Sequence, residues 1–111
     1  MKYPVIVMPF LKVNGMAIFP FILVNNKAAL KDKVLINHET IHLKQELELL
    51  VLPFYILYFL NYLVNYIKYR NHNKAYLNIV FEREAYVKER DLTYLKKRGL
   101  WFWRFYLTSN S

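Results

Sequence analysis

Hydrophobic and polar positions divide the chain into four blocks. Residues 4–24, "PVIVMPFLKVNGMAIFPFILV", are apolar stretches split by Asn14-Gly15, the strongest short hairpin signal. Pro9 and Pro20 cannot donate to a ladder, so the strands of a β-hairpin over 1–25 are expected to be short or edge-like. A polar turn, "NNKAALKDK", leads into a helix expected over 30–50. Wound at about 100° per residue, it places His38, His42, Gln45 and Leu49 on one narrow stripe. Lys33, Asn37, Thr40, Lys44 and Glu48 form a separate stripe that reads as solvated, with Leu43, Leu47 and Leu50 on the flank between them.

The third block, "LLVLPFYILYFLNYLVNYI", is the most apolar and predicts a helix over 51–69. Tyr55, Tyr62, Tyr66 and Tyr69 share one face, and Ile56, Leu60, Leu63, Val64 and Ile67 another. The tyrosine stripe reads as core packing with hydroxyls at its edge. After the basic loop "KYRNHNK", a second long helical pattern runs over 74–98 and stops at Gly99, a C-cap signal. "LWFWRFYL" (100–107) closes the pattern as an aromatic segment expected to pack back as a short helical piece. The predicted class is α+β, mainly α, in one domain with a hairpin or edge strand beside the first helix.

Composition narrows the chemistry. The 111 residues include no cysteine, so any metal must be held by His, Asp or Glu. Net charge is +8, but no RNP, KH or zinc-finger pattern is present and no nucleic-acid groove is expected. The N-terminus lacks an A-x-A-like cleavage site, so a signal peptide is not expected. The cytoplasm or a membrane periphery is the expected location.

His38, Glu39 and His42 stand in the order H-E-x-x-H. Histidines at i and i+4 share a helix face closely enough to hold one tetrahedral ion. Glu39 lies about 100° around from His38, poor for a ligand but suited to reach a water on the ion's open side. Zinc lowers the pKa of its water to about 7, and a glutamate so placed takes the proton as the water attacks a carbonyl. A third histidine six residues on, as in metzincins, is absent: position 48 is Glu. "FEREAY" (81–86) offers Glu82 and Glu84, which point to nearly opposite faces, so only one can meet the ion. Glu82 shares its face with Asn78, Tyr86, Glu89 and Thr93, a partly polar stripe.

H-E-x-x-H followed by E-x-x-A on a later helix resembles the gluzincin metallopeptidases, in particular small single-domain members. The resemblance covers residues 16–90 and implies Zn2+ held by His38, His42 and Glu82, with Glu84 the runner-up third ligand and Glu39 the catalytic base. It also implies a peptide or protein substrate pairing with the edge of "AIFPFILV", and a partner subunit or homo-oligomer to complete the cleft. Relatives commonly carry Asp after the E-x-x-A alanine, where this chain has Tyr86, so the partner of a histidine ligand is left open. Tyr86 and His72 are the candidates for stabilising an oxyanion.

Residues 49–67 approach the roughly 20 residues of a membrane span. A span there would separate the histidines from Glu82 by about 30 Å, which one ion cannot bridge. The two readings exclude each other, and the metal site is preferred. The apolar helix then links the two ligand helices, with one face available to a membrane or a second subunit and Lys68, Arg70 and Lys74 suited to anionic headgroups. A different reading stays open: a non-enzymatic, membrane-associated or interaction protein whose H-E-x-x-H is coincidental or catalytically inactive.

Overall fold

The computed structural model describes residues 3–107; residues 1, 2 and 108–111, including the start of the expected hairpin block, lie outside that range. Three short strands, β1 (Val5–Val7), β2 (Gly15–Ile18) and β3 (Phe21–Val24), precede five helices. These are α1 (Lys33–Glu48), α2 (Leu52–Tyr69), α3 (His72–Leu77), α4 (Val80–Lys88) and α5 (Tyr94–Lys97), with 3-10 turns at Lys27–Lys31 and Phe102–Tyr106. The architecture is α+β and mainly α, as the patterning predicts.

The hairpin is present, but its turn is elsewhere. β2 and β3 pair antiparallel across Phe19-Pro20, with Ile18 opposite Phe21. β1 pairs parallel with β3, in the order β1-β3-β2. Gly15 is therefore the first residue of β2, and close approach explains it: an added Cβ would stand 3.1 Å from Leu35 Cδ1 and 3.3 Å from Glu39 Oε2. The sheet buries Ala17, Ile22 and Val24 against Leu43 of α1 and Ala29.

α1 begins at Asp32, whose carboxylate accepts from Leu35 N at 3.1 Å, a side-chain N-cap. Lys27–Lys31 is a separate turn capped by Asn26, so the helix starts later than residue 30. The stripe read as solvated is partly buried. The Asn37 amide, 7% exposed, donates to the carbonyls of Lys88, Glu89 and Asp91 and so satisfies the C-terminal end of α4. Glu48 pairs with Arg98. On the flank, Leu43 is buried while Leu47 and Leu50 are exposed.

α1 and α2 meet at a bend of 112°. The elbow needs two positive-φ residues without glycine, Leu50 at φ 61° and Val51 at φ 56°, uncommon for a β-branched side chain. No single helix among the described residues is long and apolar enough to cross a membrane, although α1 and α2 together have the length and composition of a broken span.

The single helix expected over 74–98 is three helices. Asn71 caps α3 by accepting from Lys74 N at 3.0 Å, which draws His72 out of the loop and onto the first turn. Near residue 79 the chain breaks, and Asn61 of α2 accepts from Val80 N at 2.8 Å to start α4. Asp91 accepts from both the amide and the hydroxyl of Thr93, and this local turn ends the run a second time. Gly99 adopts no left-handed conformation. It is needed because a Cβ there would lie 2.5 Å from the Phe102 ring. The aromatic tail does pack back: Trp103 meets Phe81 edge-on at 5.4 Å.

Candidate metal centre

α1 and α4 each turn a polar stripe inward, and these stripes meet. His38 Nε2 lies 3.1 Å from Glu82 Oε1, His42 Nε2 lies 3.0 Å from the same oxygen, and the two Nε2 atoms are 3.2 Å apart. All three residues are buried. Three donors bonded at about 2.0–2.1 Å to one tetrahedral ion stand about 3.3 Å from each other. The spacing and the donor types fit, and this buried group could hold a metal ion.

Each histidine is oriented from behind. His38 Nδ1 lies 2.8 Å from Glu89 Oε1, and His42 Nδ1 lies 2.8 Å from Gln45 Oε1. The Gln45 amide nitrogen donates to Phe81 O at 3.1 Å and to Glu84 Oε1 at 2.9 Å. Those two acceptors orient the amide, so its oxygen faces the imidazole and accepts from Nδ1. Each ring in its neutral form then turns the Nε2 lone pair toward Glu82, the tautomer that a metal ligand needs.

Glu84, the alternative third ligand, is turned away from the histidines. It is fully buried and accepts from Gln45, from Tyr94 at 2.6 Å and from Arg98. Arg98 also bonds Glu48 through both terminal nitrogens. The cation is thereby shared by two carboxylates in the interior.

The electrostatics follow from the contacts. Burial alone would discharge His42, but the carboxylate of Glu82, helped by Glu39 and Gln45, outweighs it and pushes the imidazole pKa up to about 10. Burial would likewise raise the pKa of Glu82. The charge on His42 and hydrogen bonds from His38, His42 and Tyr58 prevail and hold it well below the usual carboxylate range. Glu39 is different: burial raises its pKa despite the nearby histidines. Its carboxylate makes no hydrogen bond among the described residues.

Glu39 lies between two openings. A cleft of about 570 Å³ is lined by Gly15, His38, Glu39, His72, Tyr76 and Tyr86 among others. A more apolar cavity of about 220 Å³ is lined by Ala17, Glu39, His42, Phe54, Tyr58 and Glu82 among others. Compared with family models, curated proteins and solved structures, the chain matches none of them. The reading of the site therefore stands on its own geometry.

Of the two oxyanion candidates, Tyr86 packs its ring edge-on to His38 at 4.5 Å. His72 Nδ1 is hydrogen-bonded to Tyr62 at 2.8 Å on the cleft wall. Two further tyrosines escaped the sequence reading. Tyr58 donates to Glu82 Oε2. Tyr76 borders both openings, and its hydroxyl lies 3.4 Å from that of Tyr86. Burial and the charge of Glu82 raise the pKa of both, so each is a neutral donor at pH 7. Nothing in the helical pattern marked Tyr76, because α3 was hidden inside a longer periodic run.

Proposed function

We propose that this protein is a zinc-dependent hydrolase, and specifically a metallopeptidase of gluzincin-like design. The observation that carries the reading is the meeting of His38, His42 and Glu82 within 3.0–3.2 Å, with Glu39 unbonded between two openings. Two imidazoles and one carboxylate without thiolate form the donor set of many catalytic zinc sites. Bound zinc supplies Lewis acidity and a more acidic water. Glu39 accepts a proton at its carboxylate from the attacking water, and its raised pKa strengthens it as a base. Glu89 and Gln45 hold the imidazoles in register. Tyr76, neutral and facing both openings, is the chain's best placed donor to a developing oxyanion.

A peptide substrate is supported by the position of β2, which has no strand on its outer side among the described residues and begins beside Glu39. An extended chain can add to such an edge. Tyr55 already donates to Ala17 O at 2.9 Å, so the open part of the edge is the Gly15 end.

Metal content by mass spectrometry on the purified wild type, Glu82→Ala, Glu84→Ala and Glu39→Gln tests the proposal, together with a peptide-library cleavage assay. About one zinc per chain is expected, lost in Glu82→Ala and retained in Glu39→Gln, with cleavage abolished in both. A wild type that takes up no zinc removes the proposal. One that binds zinc but cleaves nothing keeps the metal site and discards the peptidase.

A further inference from the structure

α2 has two unlike sides. Its inner side is pinned to the fold: buried Asn65 donates to Ala75 O at 3.1 Å, Asn61 caps α4, and Phe54 packs on Phe81 with ring centroids 4.7 Å apart. Its outer side is bare. Leu52, Ile56, Phe59, Leu63 and Ile67 recur every three or four residues, and all are exposed, Leu52 and Ile67 by two thirds. At the elbow the positive φ of Leu50 leaves that side chain 78% exposed, and Leu100 and Trp101 stand exposed after Trp101 N has bonded Glu48. Such a run of apolar surface is more than a folded chain leaves without use.

Charge selects the occupant. No acidic residue stands between Glu48 and Glu82, while Lys68 at the C-terminal end of α2, Arg70 just after it and Lys74 on α3 lie exposed. A second copy docked through the same stripe would offer these cations no acidic partner, and each protomer already carries +8. An anionic bilayer offers hydrocarbon for the stripe and phosphate for the lysines. Tyr66, at 42% exposure near the basic end, and Trp101 near the elbow are side chains that favour the headgroup level.

We infer that the outer face of α2 docks on an anionic membrane, with the helix lying in the interface plane and its inner face still bound to the protein. The helix does not cross the bilayer, because asparagines on its pinned side hold the fold together, buried Asn65 bonding α3 and Asn61 bonding α4. The inference is independent of the metal site and of turnover.

Co-sedimentation with vesicles of phosphatidylcholine alone, or with 30% phosphatidylglycerol, tests it on the full chain. Binding is expected to the anionic vesicles and to weaken in 0.5 M salt. Removing Lys68, Arg70 and Lys74 together (each→Gln) should cost about five-fold in affinity per residue. Ile56→Gln with Phe59→Gln and Leu63→Gln should reduce binding at least about ten-fold, with helix content unchanged by circular dichroism. Should that triple variant not fold, quenching of wild-type tryptophan by brominated acyl chains decides in its place. No sedimentation with anionic vesicles overturns the inference. So does a wild-type dimer that the stripe substitutions dissociate while lipid binding stays absent.

Discussion

The amide nitrogen of Gln45 lies 2.9 Å from Glu84 Oε1, and that contact decides which end of the amide faces His42. Glu84 thus stands outside the His38–His42–Glu82 group, yet it acts on His42 through a single intermediary. Gln45→Ala should weaken zinc binding about 10–100-fold, the usual cost of losing a partner behind a ligand histidine. Competition with a chromophoric chelator measures it, and an affinity unchanged from wild type contradicts the orienting role.

Arg98 neutralises two interior carboxylates, with its side chain 3% exposed and those of Glu84 and Glu48 at 0% and 8%. Arg98→Met leaves both anions without their cation. A loss of about 3–5 kcal/mol in urea unfolding is expected. The exposed pair Lys97–Asp91 offers the internal control: Lys97→Met should leave the urea midpoint essentially unchanged.

In the metal-free protein His42 titrates near 10 and Glu82 well below its ordinary value. The raised histidine stabilises the fold fully below its unfolded pKa of about 6.5 and ceases to do so as pH rises through about 10. The depressed carboxyl stabilises above about 4.5 and ceases to do so as pH falls toward its lowered value. A metal must displace the His42 proton. Zinc affinity should therefore rise about ten-fold per pH unit between pH 7 and 9, with about one proton released per ion. Calorimetry in buffers of different ionisation enthalpy reads that release, and an affinity independent of pH over this range would contradict it.

Glu46 is completely buried; one carboxylate oxygen accepts from Phe19 N and Tyr55, and the other has no partner among the described residues. Burial raises its pKa. A group raised in this way stabilises the fold at low pH, and that contribution disappears as pH rises through the folded value. Glu46→Gln should accordingly be more stable than wild type at pH 8 and nearly equal at pH 4. Urea midpoints at the two pH values check that the advantage appears only at the higher pH.

The facing of His38 and His42 was legible because helical periodicity relates residues on one face, and the placement of Glu82 beside them was expected from the E-x-x-A resemblance and the polar stripe it shares. Glu89 was legible for the same reason, two turns beyond Glu82, though its bond to His38 was not. The misreadings share a cause. Asn14-Gly15 looked like a turn because glycine at a turn and glycine at a close backbone contact read alike. Residues 74–98 looked like one helix because apolar spacing survives both breaks, the first of which is followed by a bond from Val80 N to Asn61 on another helix. Asn37 looked solvated because its acceptors lie more than 50 residues away.

That last separation has a consequence for the order of events during synthesis. His38 waits 44 residues for Glu82 and 51 for Glu89, and Glu48 waits 50 for Arg98. A nascent chain that has exposed only its H-E-x-x-H helix offers two histidines and nothing to close the site. At the proposed site, metal capture would then coincide with the docking of α4 on α1, so loading with metal would report that these two distant segments have met.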